Sequence, residues 1–267
     1  MIPTATGWGT FSAVLFHPNC SLEFLSLPHT SICDEGISFL GEALAVNKSL
    51  KYLDLACSYF ISITGWREFR KCLNYPDSAL EVLDLGGCRI NDEVASLIVS
   101  ALEGNTCLKE LNLTYTHQLA DKFWDDLARV LYDRTTIAST YSSNHTLHTL
   151  TMDFWFGDDD VKNDILSSLK MNETANKEEV ALQKILDHHY YEENSYIDEF
   201  ACFPDTILPF AIEWIDRKGL GLEMMYDVVR RVPIQFYIRN RPYVAEVKKR
   251  KWGWMDWLTL PGKHRKL

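Results

Sequence analysis

The residues best suited to chemistry by type and spacing are two histidines, each followed four positions later by a glutamate. His188 and His189 precede Glu192 and Glu193 in a segment, 178–191, whose apolar residues have helical spacing. Each pair would then lie on one helix face, where imidazole and carboxylate can bind a divalent cation. No H-E-x-x-H motif and no cysteine pair accompanies them, so we interpret the segment as a charged helix end and expect no metal and no cofactor.

Other catalytic chemistry has no support in the sequence. It contains no Gly-rich phosphate loop and no nucleophile elbow, so we expect a non-enzyme with no catalytic residue and no small-molecule substrate. Seven cysteines are scattered without a C-x-x-C pair, which predicts reduced thiols. That redox state favours a cytoplasmic location, with the nucleus as the alternative.

A basic cluster near the C-terminus is a second candidate for binding. Lys248, Lys249, Arg250 and Lys251 precede three tryptophans in a chain whose net charge is −10. Such clusters direct nuclear import or contact nucleic acid or anionic membranes, although short basic runs are also common in disordered tails. We favour an inert or intramolecular tail, with nuclear import as the first alternative and nucleic acid or membrane contact as the weaker one.

A repeated leucine pattern indicates the elements that position these residues. The motif L-x-x-L-x-L begins at Leu22, Leu50, Leu80 and Leu108, and a weaker fifth copy begins at Leu147 after a polar stretch, 141–144, that predicts an inserted loop. The sequence also matches itself at an offset of 58, which repeats Trp8, Trp66 and Trp124 and argues that these rings pack in the core. Each motif predicts a short strand, and the helical spacing that follows predicts a helix.

L-x-x-L-x-L at this period is the signature of leucine-rich repeats, and the pattern resembles the ribonuclease-inhibitor type of cytosolic repeat protein. The segments 63–69, 91–93 and 141–147 are similar to an expanded set of short repeat proteins in diatoms and related algae. The resemblance implies an α/β solenoid with short parallel strands on the concave face and helices on the convex face. We expect this solenoid over 1–152 in four to five repeats, the first incomplete, then a helical C-terminal cap over 153–232 and a basic tail over 233–267.

The residues between the inward leucines are expected to form two columns on the concave face. The first column is Phe24, Tyr52, Val82 and Glu110, and the second is Ser26, Asp54, Asp84 and Asn112, with Thr151 if the fifth strand forms. An aromatic and acidic surface of this kind could dock a basic partner that carries an apolar anchor. Alternatively, the columns are only the solvent-facing side of each strand.

Four residues occupy the position where this repeat signature often carries Asn or Cys. They are Thr30, Ser58, Cys88 and Thr116, and each can donate a hydrogen bond to a loop carbonyl. We therefore expect them to have a structural function in the loops.

The sequence favours a protein-protein interaction module that binds an unknown protein on its concave face, as the broader family does. One alternative is a regulator of an enzyme such as a small GTPase, because the Ran GTPase activator has this repeat type. Another is a protein directed to the nucleus or a membrane by its basic tail. Since the first repeat begins partway through its unit, we also expect a frayed N-terminal edge or a gene start further upstream.

Overall fold

A computed structural model of the protein describes residues 5–75, 78–116, 119–153, 158–174, 176–185 and 187–188. All of them lie in one compact unit, Met1–His189. Short strands alternate with helices along this unit, in the order α1 (Ala5–Phe16), β1 (Phe24–Ser26), α2 (Asp34–Val46), β2 (Tyr52–Asp54), α3 (Ile63–Leu73), β3 (Val82–Asp84), α4 (Asp92–Leu102), β4 (Glu110–Asn112), α5 (Asp121–Leu131), α6 (Ile137–Ser142), β5 (Thr149–Thr151), α7 (Asp159–Asn172) and α8 (Lys177–Ile185).

The five strands form one parallel sheet in the order β1-β2-β3-β4-β5. The middle residue of each three-residue strand is a leucine, and these leucines pair in register across the sheet: Leu25, Leu53, Leu83, Leu111 and Leu150. The first four are buried, because alternation along a strand turns its middle side chain to one face and its two neighbours to the other. This sheet confirms the fold class predicted from the leucine repeats, including its weaker fifth copy.

The helices bury one apolar stripe each against the leucine side of the sheet. In α4 that stripe includes Val94, Ile98 and Leu102, whose i, i+4 spacing keeps them on one helix face. The helix begins where the Asn91 side chain accepts a hydrogen bond from the Val94 N–H, and Asp92 follows in the first turn. Both features stabilise a helix start, because they satisfy a free N–H group and the positive end of the helix dipole.

The three tryptophans that recur along the repeats are buried among the helices, as the self-match of the sequence predicts. Trp8 packs edge-on against Phe11, and Trp66 packs in the same way against Phe69, with ring centroids 6.1 and 5.9 Å apart. Trp124 is also buried, with 1% of its surface exposed. These rings therefore contribute to the stability of the core and present no contact surface.

The longer spacing before β5 comes from an insertion that is partly helical. Helix α6 lies between α5 and β5 and extends into the stretch, 141–144, for which the sequence predicts a loop. The Thr136 side chain starts this helix by accepting a hydrogen bond from the Ser139 N–H, and the Asn144 N–H donates to the Val130 carbonyl. The predicted loop is thus wrong in its first half, because a Thr cap stabilises a short helix there.

Two helices follow the last strand, as the sequence predicts. Asp158 starts α7 by accepting a hydrogen bond from the Asp160 N–H, and α7 packs against α5 in the row of repeat helices. Helix α8 packs against α6. The part of the predicted helical cap after residue 188 and the basic tail over 233–267 lie outside the described residues, so the domain division at 152 and 232 stays a prediction. In the part of the chain that the structure describes, no helix is long and apolar enough to cross a membrane.

Aspartates at the starts of α2 and α4 join each pair of repeats to the next. The Asp34 carboxylate accepts hydrogen bonds from the Ser62 N–H at 2.7 Å and from the Ser62 hydroxyl at 2.5 Å. Asp92 is the equivalent residue two repeats later and accepts from the Ala120 N–H at 2.8 Å. Each contact satisfies a free N–H at the start of a neighbouring helix, which the helix itself leaves unpaired.

We expect Gly65→Ala to lower the free energy of unfolding by about 1–3 kcal/mol, because the site is already closely packed. A Cβ at position 65 would lie 2.5 Å from Asp34 Oδ1 and 2.9 Å from Ile37 Cγ2, so α3 would have to move away from α2. Urea denaturation followed by circular dichroism measures the change. Gly104→Ala is the matched control, because no atom lies within 4 Å of a Cβ there, and equal effects at both sites would contradict the prediction.

Candidate partner-binding face

The two predicted columns lie side by side on the sheet face that points away from the helices. Backbone pairing runs from Phe24 through Tyr52 and Val82 to Glu110, and from Ser26 through Asp54 and Asp84 to Asn112. Both columns continue into β5, through Thr149 and Thr151. All of these side chains are at least partly exposed. The sequence located the columns correctly because strand alternation fixes which residues share a face, while their use in binding stays a prediction.

Two stacked aromatic rings form one end of the first column. The rings of Phe24 and Tyr52 are nearly parallel, with centroids 4.1 Å apart and an angle of 9° between their planes. Phe24 keeps 57% of its surface exposed although it lies on a strand. A large exposed aromatic side chain contributes little to folding, and such residues are common anchors at protein interfaces.

The second column is a hydrogen-bonded row that also holds the loops after the strands. Asp54 Oδ1 accepts from the Ala56 N–H at 2.8 Å, and Asp84 Oδ1 accepts from the Gly86 N–H at the same distance. Ser26 donates to Asp54, and Asn112 donates to Asp84 across neighbouring strands. These contacts explain why Asp, which is disfavoured in strands, occurs here twice.

The described part of this face is acidic. Its two columns contain Asp54, Asp84 and Glu110 and no lysine or arginine. Burial raises the pKa of the Tyr52 hydroxyl, and the charges of those three carboxylates raise it further. A phenol that is harder to ionise beside three carboxylates indicates a surface of negative potential, which favours a positively charged partner.

The four residues expected to bind loop carbonyls differ in what they do. The Thr30 hydroxyl donates to the Leu27 carbonyl at 2.9 Å, and the Cys88 thiol donates to the Leu55 carbonyl at 3.0 Å. The Ser58 hydroxyl is buried and has no hydrogen-bond partner among the described residues. Burial raises the pKa of Cys88 to about 11, so its thiol is protonated and unreactive at neutral pH. Thr116 follows the equivalent strand and is partly buried.

Each loop after strands β1 to β4 contains a residue in the left-handed backbone region. The position is the second after the last strand leucine, and it is occupied by His29, Cys57, Gly87 and Tyr115, with φ between 55° and 70°. Glycine adopts this conformation without strain, whereas a residue with a Cβ is disfavoured there. Tyr115 keeps 78% of its surface exposed, so the packing of its ring adds little stability to offset this disfavoured backbone conformation.

Sequence reasoning missed a row of buried asparagines that lies three positions before the strand motif. Asn47 donates to the Leu15 carbonyl at 2.8 Å and accepts from the Ser49 and Leu50 N–H groups at 2.9 and 2.7 Å. Asn105 and Asn144 repeat this arrangement in their own repeats. The signal that could have found the row is N-x-x-L, which recurs at 47–50, 105–108 and 144–147.

The structure does not test the His/Glu metal site considered from sequence, so its interpretation as a charged helix end stays a prediction. Among the described residues, no group of three His, Cys, Asp or Glu side chains could hold a metal ion. His188 packs edge-on against the ring of Tyr132, with centroids 6.5 Å apart. The other three members, His189, Glu192 and Glu193, lie outside the described residues, as do the basic residues Lys248, Lys249, Arg250 and Lys251.

Parts of the chain are similar to known repeat proteins. It is 34% identical over 108 residues to NACHT, LRR and PYD domains-containing protein 12 of Mus musculus, which covers 40% of this chain and 10% of that protein. It is also 34% identical over 103 residues to the ribonuclease inhibitor of Sus scrofa, which covers 38% of this chain and 22% of the inhibitor. The match therefore spans less than a quarter of either relative. No family model matches the chain.

Two solved structures share the fold. An actin-binding site 2 structure of leiomodin-1 covers 72% of this chain and 99% of its own, with a TM-score of 0.51 and 17% identity. The tropomodulin C-terminal domain of Caenorhabditis elegans covers 62% of this chain and 93% of its own, with the same TM-score and 16% identity. The parallel sheet, the row of helices and these similarities together show that the chain folds as an α/β leucine-rich repeat solenoid.

Proposed function

We propose that the chain is a protein-protein interaction module that binds its partner on the sheet face formed by the two columns. The observation that carries this proposal is the exposed stack of Phe24 on Tyr52 beside three carboxylates. Folding alone does not require an exposed phenylalanine on a strand. The relatives support the proposal, because the names of ribonuclease inhibitor and of the leiomodin-1 actin-binding site each state a protein partner.

The chemistry of the face selects a partner segment that is positively charged and carries one apolar anchor. Asp54, Asp84 and Glu110 would attract lysine or arginine side chains, while Phe24 and Tyr52 would pack against an apolar or aromatic side chain. The Asp84 carboxylate accepts from Gly86 and Asn112 through Oδ1, so Oδ2 can face a partner cation. The proposed binding surface therefore combines a pair of rings on β1 and β2 with carboxylates on β2, β3 and β4.

We expect Phe24→Ala to raise the Kd for the partner at least about tenfold, equivalent to about 1.4 kcal/mol of lost binding free energy. The partner would be captured on the immobilised full chain, identified by mass spectrometry, purified, and titrated by biolayer interferometry. Raising the salt concentration from about 0.05 to about 0.5 M should weaken binding further, because it screens the acidic row.

Phe60→Ala is the matched control for this experiment. Phe60 keeps 62% of its surface exposed, close to the 57% of Phe24, but it lies in the loop between β2 and α3. Its replacement should leave the Kd unchanged. Binding that is lost with Phe60→Ala and retained with Phe24→Ala would place the partner on a different surface and contradict the proposal.

A further inference from the structure

Lys184 has a fully buried side chain, which is unusual for a lysine. Its Nζ lies 2.6 Å from the Leu131 carbonyl oxygen, at the end of α5, and 3.2 Å from the Asn144 carbonyl oxygen, just before β5. The Lys184 carbonyl in turn accepts a hydrogen bond from the hydroxyl of Tyr132. Helix α8 is thus joined to the end of the solenoid by a lysine that donates into the interior.

The position of Lys184 is one that a neutral amide occupies elsewhere in the solenoid. Asn47 donates to the Leu15 carbonyl and Asn105 donates to the Leu73 carbonyl, in each case at the end of a helix. Leu131 occupies the equivalent position at the end of α5, since the offset from Leu73 to Leu131 equals that from Leu15 to Leu73. Lys184 therefore donates to the Leu131 carbonyl from outside the repeats, as Asn47 and Asn105 donate to the equivalent carbonyls within them.

A neutral amine fits this site better than an ammonium group. A neutral amine has two N–H donors, and two carbonyl oxygens accept from Nζ, whereas an ammonium has a third N–H and a full charge. No described carboxylate forms an ion pair with Lys184. Burial without a counter-charge lowers the pKa of Lys184 to about 7.

None of the described titratable groups that face Lys184 adds a negative charge that affects its pKa. The ring of Tyr132 lies 5.7 Å from Nζ, and the Arg134 guanidinium lies 4.7 Å from the same ring and pairs with the exposed Asp164. Burial and, to a lesser extent, the charge of Lys184 lower the pKa of His145 to about 4. Other basic or neutral groups nearby are Lys177, whose charge acts on His145, His188 on the Tyr132 ring, and the amide of Asn172, which shares the Asn144 carbonyl. The Asp187 carboxylate, three residues after Lys184, accepts a hydrogen bond from Gln183.

We propose that α8 docks on the end of the solenoid with Lys184 as a neutral amine, so that docking releases a proton and becomes more stable as the pH rises. This pH dependence arises from the repeat geometry, because α8 contributes a titratable donor to a helix end where other repeats contribute an amide. It concerns the C-terminal end of the described unit and is independent of the proposed partner-binding face.

The direction in which pH changes the docking of α8 follows from the protonation of Lys184 when α8 is docked and when it is released. Exposed lysine has an ordinary pKa of 10.5. Below about pH 7, Lys184 is protonated both docked and released, so pH has no effect through this group. Between about 7 and 10.5 the released form binds one more proton than the docked form, and the docking equilibrium constant rises up to about tenfold per pH unit. Above that range the effect is complete.

The first test compares the full chain with its Lys184→Met variant in urea at about pH 7 and about pH 9. Methionine keeps the length of the side chain and removes the amine. Taking the difference between the free energies of unfolding of the two proteins therefore cancels the contribution of the other titrating groups, including the buried thiols of Cys72 and Cys88. The folding equilibrium constant of the wild type should rise by up to about 100-fold relative to the variant between these pH values. If the difference in free energy of unfolding between wild type and Lys184→Met does not change with pH, the proposal is wrong.

A second measurement needs no variant and covers the case in which Lys184→Met does not fold. The Cε resonance of Lys184 in the isotope-labelled full chain should titrate with a midpoint near 7 rather than near 10. In addition, Lys184→Arg keeps a permanent charge and should be less stable than Lys184→Met at about pH 7. A midpoint near 10, or an arginine variant as stable as the wild type, would show that the site holds an ammonium and would overturn the proposal.

Discussion

Replacing Leu83 with alanine is expected to lower the free energy of unfolding by about 2–5 kcal/mol. Leu83 is the middle residue of the middle strand, has no exposed surface, and pairs in register with Leu53 on one side and Leu111 on the other. The cavity left by the substitution would be enclosed by neighbours from two adjacent repeats, which have little freedom to collapse into it. Urea denaturation followed by circular dichroism gives the change directly.

Leu150→Ala is the matched control, because Leu150 occupies the same position in β5, the last strand of the described sheet, and is only partly buried. Its substitution should lower the free energy of unfolding less than that of Leu83, since among the described strands it has a neighbour on one side and it loses less buried surface. An equal cost at both positions would contradict the view that each repeat is stabilised chiefly by its two neighbours.

Asn105→Ala is expected to lower the free energy of unfolding by about 2–4 kcal/mol, since it leaves several buried polar groups without partners. The amide donates to the Leu73 carbonyl at 2.6 Å and accepts from the Cys107 and Leu108 N–H groups at 3.0 and 2.7 Å. Alanine provides none of these bonds, and water has no access to the site because Asn105 is buried. Thermal and urea unfolding of the variant measure the loss.

Asn105→Asp separates the two functions of this amide. Aspartate keeps the acceptor for the two N–H groups but loses the donor to Leu73 and places a charge beside that carbonyl, so it should also be strongly destabilising. Asn74→Ala is the control at an exposed asparagine and should change stability by less than about 0.5 kcal/mol. If both Asn105 variants change the free energy of unfolding only slightly, the asparagine row contributes little to stability.

The strands and their register could be predicted because the information is local. The spacing of Leu53 and Leu55 fixes which side of β2 faces inward, and recurrence of the motif fixes its neighbours. The asparagine row could not be assigned in the same way. The amide of Asn105 bonds to a carbonyl 32 residues earlier, and only the packed repeats bring those atoms together.

The position of the candidate face could be predicted from the sequence. That its aspartates also hold the loops after the strands could not. Sequence alternation places Asp54 and Asp84 on one surface, and Asp in a strand suggested binding. The structure adds the contacts to the Ala56 and Gly86 N–H groups, which depend on the turn that follows each strand. The helical insertion was missed for a similar reason, because its short length leaves no apolar period from which to infer a helix.

The joints between repeats alternate, and this limits how such a chain can change in length. Asp34 and Asp92 make the same contact to the next helix start, while Trp8, Trp66 and Trp124 recur once in every two repeats. Duplication or loss of one repeat would bring together helix surfaces that do not match. Gain or loss of two repeats at a time would keep every helix surface with its matching neighbour, so we expect this architecture to change in length by pairs of repeats.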